Sequence, residues 1–178
     1  MKRAFLIIAA LVLLSIPLSA SAAYKFTVQI EGSKQGKLKG ECSDKDQKDL
    51  LCGIDFSYEV VAPMDSATGQ PSGKRQHKPV VITKEVGAAS PQIFQALATN
   101  ELLKSVLISF YGTNAQGEEE VVYTIRLTNA RVSSYRTFLD TPEGGKDVKL
   151  VDVFALTFQR IEIESATGKT MAADDAAR

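Results

Sequence analysis

The chain contains no tryptophan, a single histidine and two cysteines. One imidazole with two thiols falls short of the three or four ligands that a zinc site needs. Without tryptophan, the broadest stacking platform for a sugar ring is missing as well. A net charge is also lacking, since Lys+Arg and Asp+Glu both total 21. A nucleic-acid binder needs a basic face, so the balance argues against that partner. The balance instead suits a protein that packs closely against copies of itself, because a strong net charge opposes assembly. Catalytic signatures are absent too: the chain has no Gly-x-Ser-x-Gly elbow and no phosphate loop. Glu118, Glu119 and Glu120 offer neighbouring carboxylates, but consecutive strand residues point to opposite faces. They read as a charged strand entrance that discourages edge pairing, not as a catalytic pair. No enzyme, cofactor or metal site is read from these residues.

What is present begins with an export signal. Met1-Lys2-Arg3 is a positive n-region, Ala4 to Leu18 is an apolar h-region, and Ala20-Ser21-Ala22 before Ala23 is a small-residue cleavage site. The apolar run is shorter than the ~20 residues that span a bilayer, and Pro17 interrupts its end. Cleavage between Ala22 and Ala23 is therefore favoured over a retained anchor, with no stable membrane insertion afterwards. Loss of Lys2 and Arg3 from the 21 basic residues leaves 19 against 21 acidic ones, a mature charge of −2. The expected organisation is a signal peptide at 1–22, one domain at 23–168 and a flexible tail at 169–178. A chain of this length buries a core of its own as a single domain.

The exported part reads as mainly β. Tyr24 to Glu31 alternates, with Tyr24, Phe26, Val28 and Ile30 on one face, as a half-buried strand does. Ile54 to Val61 reads as a second strand, and Val80-Val81-Ile82 opens another. Val106 to Tyr111 and Val121 to Leu127 flank a loop containing Asn114 and Gly117, which is a hairpin pattern. Further on, Phe154, Leu156 and Phe158 occupy even positions, whereas Ile161 and Ile163 occupy odd ones. One extra residue restores both sets to the core, which predicts a bulge or sharp bend near Gln159-Arg160.

Between these strands lie two long polar loops, Gly32–Leu51 and Pro63–Gly73. The second is expected to be flexible from its Ser, Thr, Gly and Pro content. Loops of this length usually have a purpose, and partner contact is the expected one. Lys74-Arg75-Gln76-His77-Lys78 either holds an anionic group or is a solvated loop, the second being the commoner use of such a cluster. From Thr170 onward the residues are small and polar and are expected to fray.

One helix is easy to read. After a Gly-Ala-Ala turn, Ser90 reads as its N-cap. Pro91 then falls at the first helical position, where a missing N–H costs nothing. Ile93, Phe94, Ala96 and Leu97 form an apolar stripe. A strand ending Thr83-Lys84-Glu85 followed by Ser90-Pro91-Gln92-Ile93-Phe94-Gln95-Ala96-Leu97 resembles the Hcp family, the tube-forming proteins of type VI secretion systems. Further segments extend the resemblance in order. They are Gly40-Glu41 with Asp44-Lys45 and Lys48-Asp49 before Ile54–Tyr58, then Asn129–Tyr135, then Val148–Ile161, so that it spans Tyr24 to Gly168.

The resemblance implies a mainly β fold: a closed or nearly closed antiparallel β-barrel of two packed sheets with one flanking α-helix. It also implies a structural role. Subunits of this kind form hexameric rings that stack into a tube, with effector proteins in the lumen and other type VI secretion components as partners. The loops Gly32–Leu51 and Pro63–Gly73 are then candidates for contacts between neighbours or between stacked rings. The alternative is an exported periplasmic or secreted β-barrel binding module acting independently of the secretion machine.

The signal peptide and the cysteines stand outside the pattern that carries the resemblance. Cys42 and Cys52 are the only cysteines, both lie in the exported part, and they bracket Ser43 to Leu51. In an oxidising compartment this favours a bridge over two unrelated buried thiols. Closing that loop contributes ~2–3 kcal/mol on the chain-entropy estimate.

Overall fold

The computed structural model describes residues 25–42, 47–114, 116–142 and 147–176. The signal expected at 1–22, with its cleavage residues Ala20, Ala22 and Ala23, lies outside the described residues. The strands are β1 (Lys25–Gly32), β2 (Gly36–Lys37), β3 (Leu51–Ser57), β4 (Val60–Val61), β5 (Gln76–His77), β6 (Val80–Glu85), β7 (Leu103–Thr113), β8 (Glu119–Asp140), β9 (Lys149–Thr157), β10 (Arg160–Ser165) and β11 (Thr170–Asp175). The helix Ser90–Ala98 (α1) falls between β6 and β7.

The main sheet runs β11-β10-β8-β7-β1-β3-β6-β9, and β9 pairs back onto β8. Strands β8, β7, β1, β3, β6 and β9 therefore close into an antiparallel barrel, with no edge left in its wall. Strands β10 and β11 extend the sheet beyond the closure. Alternation supplies the core: Phe26, Val28 and Ile30 of β1 meet Val106 and Ile108 of β7, Ile125 and Leu127 of β8, and Phe154 and Leu156 of β9. Phe26, Phe56 and Phe110 form a ring cluster, with Phe56 and Phe110 centroids 5.1 Å apart and nearly perpendicular. Gly53, opposite Phe26, permits this packing, because a Cβ there would lie 1.9 Å from the Phe26 ring.

The strand β8 is 22 residues long. It joins the hairpin arm expected at Val121–Leu127 to the separate strand expected at Asn129–Tyr135. The join bends at Asn129, whose φ is 51°. Opposite it, the predicted break in the last long strand is present between β9 and β10. Gln159 N–H donates to Thr128 O at 3.2 Å, and Asn129 Nδ2 donates to Gln159 Oε1 at 3.0 Å. Both strands change direction together, and the phase shift places Ile161 in the core with Phe154 and Leu156.

Four readings of local structure are corrected. The strand expected over Ile54–Val61 ends at Ser57. Its partner β6 begins only at Val80, so Val60-Val61 leave the wall and pair with the returning Gln76-His77. The segment 32–51 is not wholly a surface loop: β2 pairs with the end of β1, and Leu38 is buried. The tail expected to fray from Thr170 forms β11, paired with β10 from Arg160↔Asp175 to Ser165↔Thr170. The tail boundary at 169 therefore falls inside ordered sheet. Lastly, Ala89 and not Ser90 is the helix N-cap, and Pro91 is the second helical residue. Phe94, expected on the apolar stripe, is 55% exposed, while Ile93 and Ala96 are buried.

Candidate assembly surfaces

The strand β6 carries the chain from the β4–β5 arm at one end to the helix at the other, and a polar cluster stands at each end. At the helix end Lys84 points inward among apolar neighbours and its side chain is 0% exposed. An ammonium in such a place needs partners. Nζ donates to Glu85 O at 2.7 Å and to Ser90 Oγ at 3.1 Å. It also pairs with Glu41 Oε1 at 2.5 Å and with Asp152 Oδ2 at 3.7 Å. Asp152 in turn accepts from the Ser90 hydroxyl, from Tyr135 at 2.7 Å and from Thr137 at 2.6 Å. Burial pushes the Asp152 carboxyl up, but these hydroxyl donors and the Lys84 ammonium outweigh it and hold it below the usual carboxylate range. The Ser90 hydroxyl that reads as a cap is therefore spent here, and it also accepts from Gly87 N–H at 2.9 Å.

Glu41 links this cluster to the helix and to the cysteines. Its Oε2 accepts from Ala89 N–H at 3.0 Å, one of the unpaired donors of the first helical turn. Gly87 makes room, since a Cβ there would sit 2.5 Å from Glu41 Oε2. Glu41 N–H and Cys42 N–H both donate to Leu50 O, and Cys42 is disulfide-bonded to Cys52 with a Cα–Cα distance of 5.2 Å. The bridge thus fixes the segment that carries Glu41 to the first residues of β3. Beyond the helix, buried Glu101 accepts from Lys34 N–H, Gln35 N–H and Gln35 Nε2. Burial opposes its ionisation, but those backbone and side-chain donors win and its carboxyl is lowered. The β1–β2 turn is tied to the helix C-terminus by these contacts.

At the other end of β6 stands the arm. The stretch Pro63–Gly73, expected to be flexible, is hydrogen-bonded within itself. Asp65 N–H donates to Gln70 O, Ser72 N–H donates to Pro63 O, and Met64 bridges Pro71. Asp65 Oδ1 accepts from Ala67 N–H and Thr68 N–H, the Asx-turn use of an aspartate. His77 belongs to neither of the uses considered for its cluster. Its side chain is 6% exposed, Tyr58 Oη lies 2.6 Å from Nδ1, and Nε2 lies 3.2 Å from Asp174 Oδ2. Arg75 donates through Nε and Nη2 to both oxygens of Asp174. Tyr58–His77–Asp174 has the connectivity of a nucleophile relay. Burial, and secondarily the Asp174 charge, raise the Tyr58 phenol above its usual range.

A cleft of about 700 Å³ opens beside Tyr111, Val122 and Tyr123, with the Lys25–Glu119 pair at 3.6 Å on its rim. Among the described residues, no three His, Cys, Asp or Glu side chains converge as a metal site. The informative surface is apolar. Val86, Phe94, Leu139 and Leu150 are exposed at the helix end, where Leu139 pairs across from Leu150 and Val86 N–H donates to Leu150 O. Val60, Val61, Met64 and Met171 are exposed at the arm and on β11. A head-to-tail contact between copies joins two different surfaces of one chain, and exposed apolar side chains stand at both of these places.

The inward charges were the signal that sequence reading passed over. Lys84 shares the phase of Val80 and Ile82, and Asp152 that of Phe154 and Leu156. A charged residue in the apolar phase of two separate strands points to a buried pair.

The comparisons with known proteins agree with this architecture. A solved structure of an Hcp protein superposes with a TM-score of 0.80 at 24% identity, over 86% of this chain and 98% of that one. A secreted Hcp protein from Pseudomonas aeruginosa superposes with a TM-score of 0.70 at 29% identity, over 86% of this chain and 98% of that one. The Major exported protein of Pseudomonas aeruginosa is 33% identical over 168 residues, covering 88% of this chain and 95% of its own length. Residues 27–164 match the family described as Type VI secretion system effector, Hcp. Matched by that family over residues 27–164 and one-third identical to a full-length relative, this chain belongs to the Hcp family of type VI secretion proteins.

Proposed function

We propose that the protein is a structural subunit that closes into hexameric rings, and that the rings stack into a tube with effector cargo in the lumen. Family membership together with the two unlike apolar patches carries this reading. A ring closes only through heterologous contacts, in which one patch meets a different one on the next copy. The patch around Leu139 and Leu150 and the patch around Val60 and Met64 lie at opposite ends of β6, so neither occludes the other. Each contact should bury more than about 1,000 Å² in total. The near-neutral charge of the exported part keeps copies from repelling one another.

Export itself is read from the first residues: cleavage after Ala22 gives a domain beginning at Ala23. Intact mass of the exported protein tests this, and an N-terminus at Met1 would refute it. Assembly is tested by light scattering of that protein over a concentration series. A hexamer whose monomer fraction grows on dilution supports the ring, and a monomer at every concentration refutes it.

A further inference from the structure

We infer that Arg75, His77, Tyr58 and Asp174 form a latch that holds the β4–β5 arm in one pose against the sheet edge, ready to dock a second copy of this chain. The inference rests on the ring reading for its partner. The latch adds to the arm's own short pairing, in which β4 and β5 share two residue pairs, Val60↔His77 and Val61↔Gln76, and Met64 bridges Pro71 nearer the tip. A two-stranded hairpin alone is marginal in water. Without outside support, the exposed Val60, Val61 and Met64 would be presented in many directions.

The support comes from β10 and β11. Tyr58, Val60 and His77 line a groove of about 310 Å³ against Ile161, Ile163 and Ala172. At its rim the Arg75 guanidinium grips Asp174 through two parallel donors, a geometry that fixes angle as well as distance. Tyr58 Oη lies 2.6 Å from His77 Nδ1 and Asp174 Oδ2 lies 3.2 Å from Nε2, so both ring nitrogens have a hydrogen-bond partner. Phe158 meets both rings edge-on, with its centroid 5.6 Å from that of His77. These contacts run both ways, because Asp174 lies on β11, which among the described residues pairs only with β10. The arm anchors the last strand and the last strand aims the arm. A docking element already held in its bound pose loses less freedom on association, which makes Asp174 a positioning residue for assembly.

The test uses the full exported chain and Asp174→Asn, which removes the charge but keeps the shape. Arg75→Gln is the second variant should the first fold poorly. Amide exchange at residues 59–61, 74–78 and 170–175 should speed up at least tenfold, while exchange in β7 stays as in the unaltered chain. The concentration at which rings dissociate should rise at least several-fold. Unchanged exchange in the arm overturns the latch. A freed arm with unchanged ring dissociation overturns its role in docking. An unaltered chain that is monomeric at every concentration overturns the second copy as partner together with the ring reading, whereas the exchange result still decides the latch.

Discussion

Two carboxylate-centred clusters stand at the two ends of β6, and they differ in how much water they have lost. Asp152 and Lys84 are fully buried, and the hydroxyls of Ser90, Tyr135 and Thr137 are committed to them. Asp174 and Arg75 keep 30% and 43% of their side-chain surface. Burial makes the first cluster unforgiving: removing one member leaves a dehydrated charge behind. Exposure makes the second weak as a source of stability, since water and salt screen it. It can still decide which way a segment points. One chain thus uses the same residue types for two tasks, holding the helix onto the barrel and orienting the arm.

The comparison can be broken or sharpened by four measurements. The largest effect is expected from Asp152→Ala, which should lower unfolding free energy by ~3–5 kcal/mol. Urea titration checks this, and a loss below about 1 kcal/mol would deny the buried cluster its structural role. Next comes Cys42→Ser with Cys52→Ser. Opening the loop should cost ~2–3 kcal/mol and speed amide exchange at Ala89, because Glu41 is no longer held over the helix N-terminus. Unaltered exchange at Ala89 would separate the bridge from the helix.

The third measurement is acid titration. Asp152 and Glu101 both have lowered carboxyls in the fold. Each therefore binds a proton more readily when unfolded, and stability grows with pH until the unfolded carboxyls, near 3.9 and 4.3, have ionised. The thermal midpoint should be flat from about pH 7 to 5 and fall below that as the folded carboxyls protonate. In Asp152→Ala the fall should be shallower, and an identical profile would show that Asp152 contributes nothing to it. The smallest effect on stability is expected from deleting Ser66–Gly73. Barrel unfolding should move by no more than ~0.5 kcal/mol, while ring assembly weakens. A collapse of the barrel would show that the arm is part of the core.

The barrel was largely legible because alternation over Phe26, Val28 and Ile30, and the phase change between Leu156 and Ile161, are local consequences of a two-residue repeat. The family resemblance supplied closure and helix placement in addition. The arm was not legible. Val60 and Val61 have the composition of a strand, and nothing local reveals that the partner strand for Ser57 runs out. Likewise β11 is written in small polar residues that fray in isolation. Its pairing with β10 and the grip of Arg75 on Asp174, 99 positions away, supply the order. Ser90 shows the same limit at a single residue. Its hydroxyl suits a cap, but a buried carboxylate from β9 competes for it and wins.

By itself, then, the sequence determined the alternating strands, the helix that begins beside Pro91, the bend before Ile161 and the one partner open to each cysteine, while the bridge itself stayed an expectation. The tertiary structure decided which charges went inside, where the chain leaves the barrel wall, and which strand covers the sheet edge. Those outcomes depend on groups far apart in sequence meeting after closure. A side chain's worth is then set by the water it loses and the partners it finds, and neither is encoded at its own position.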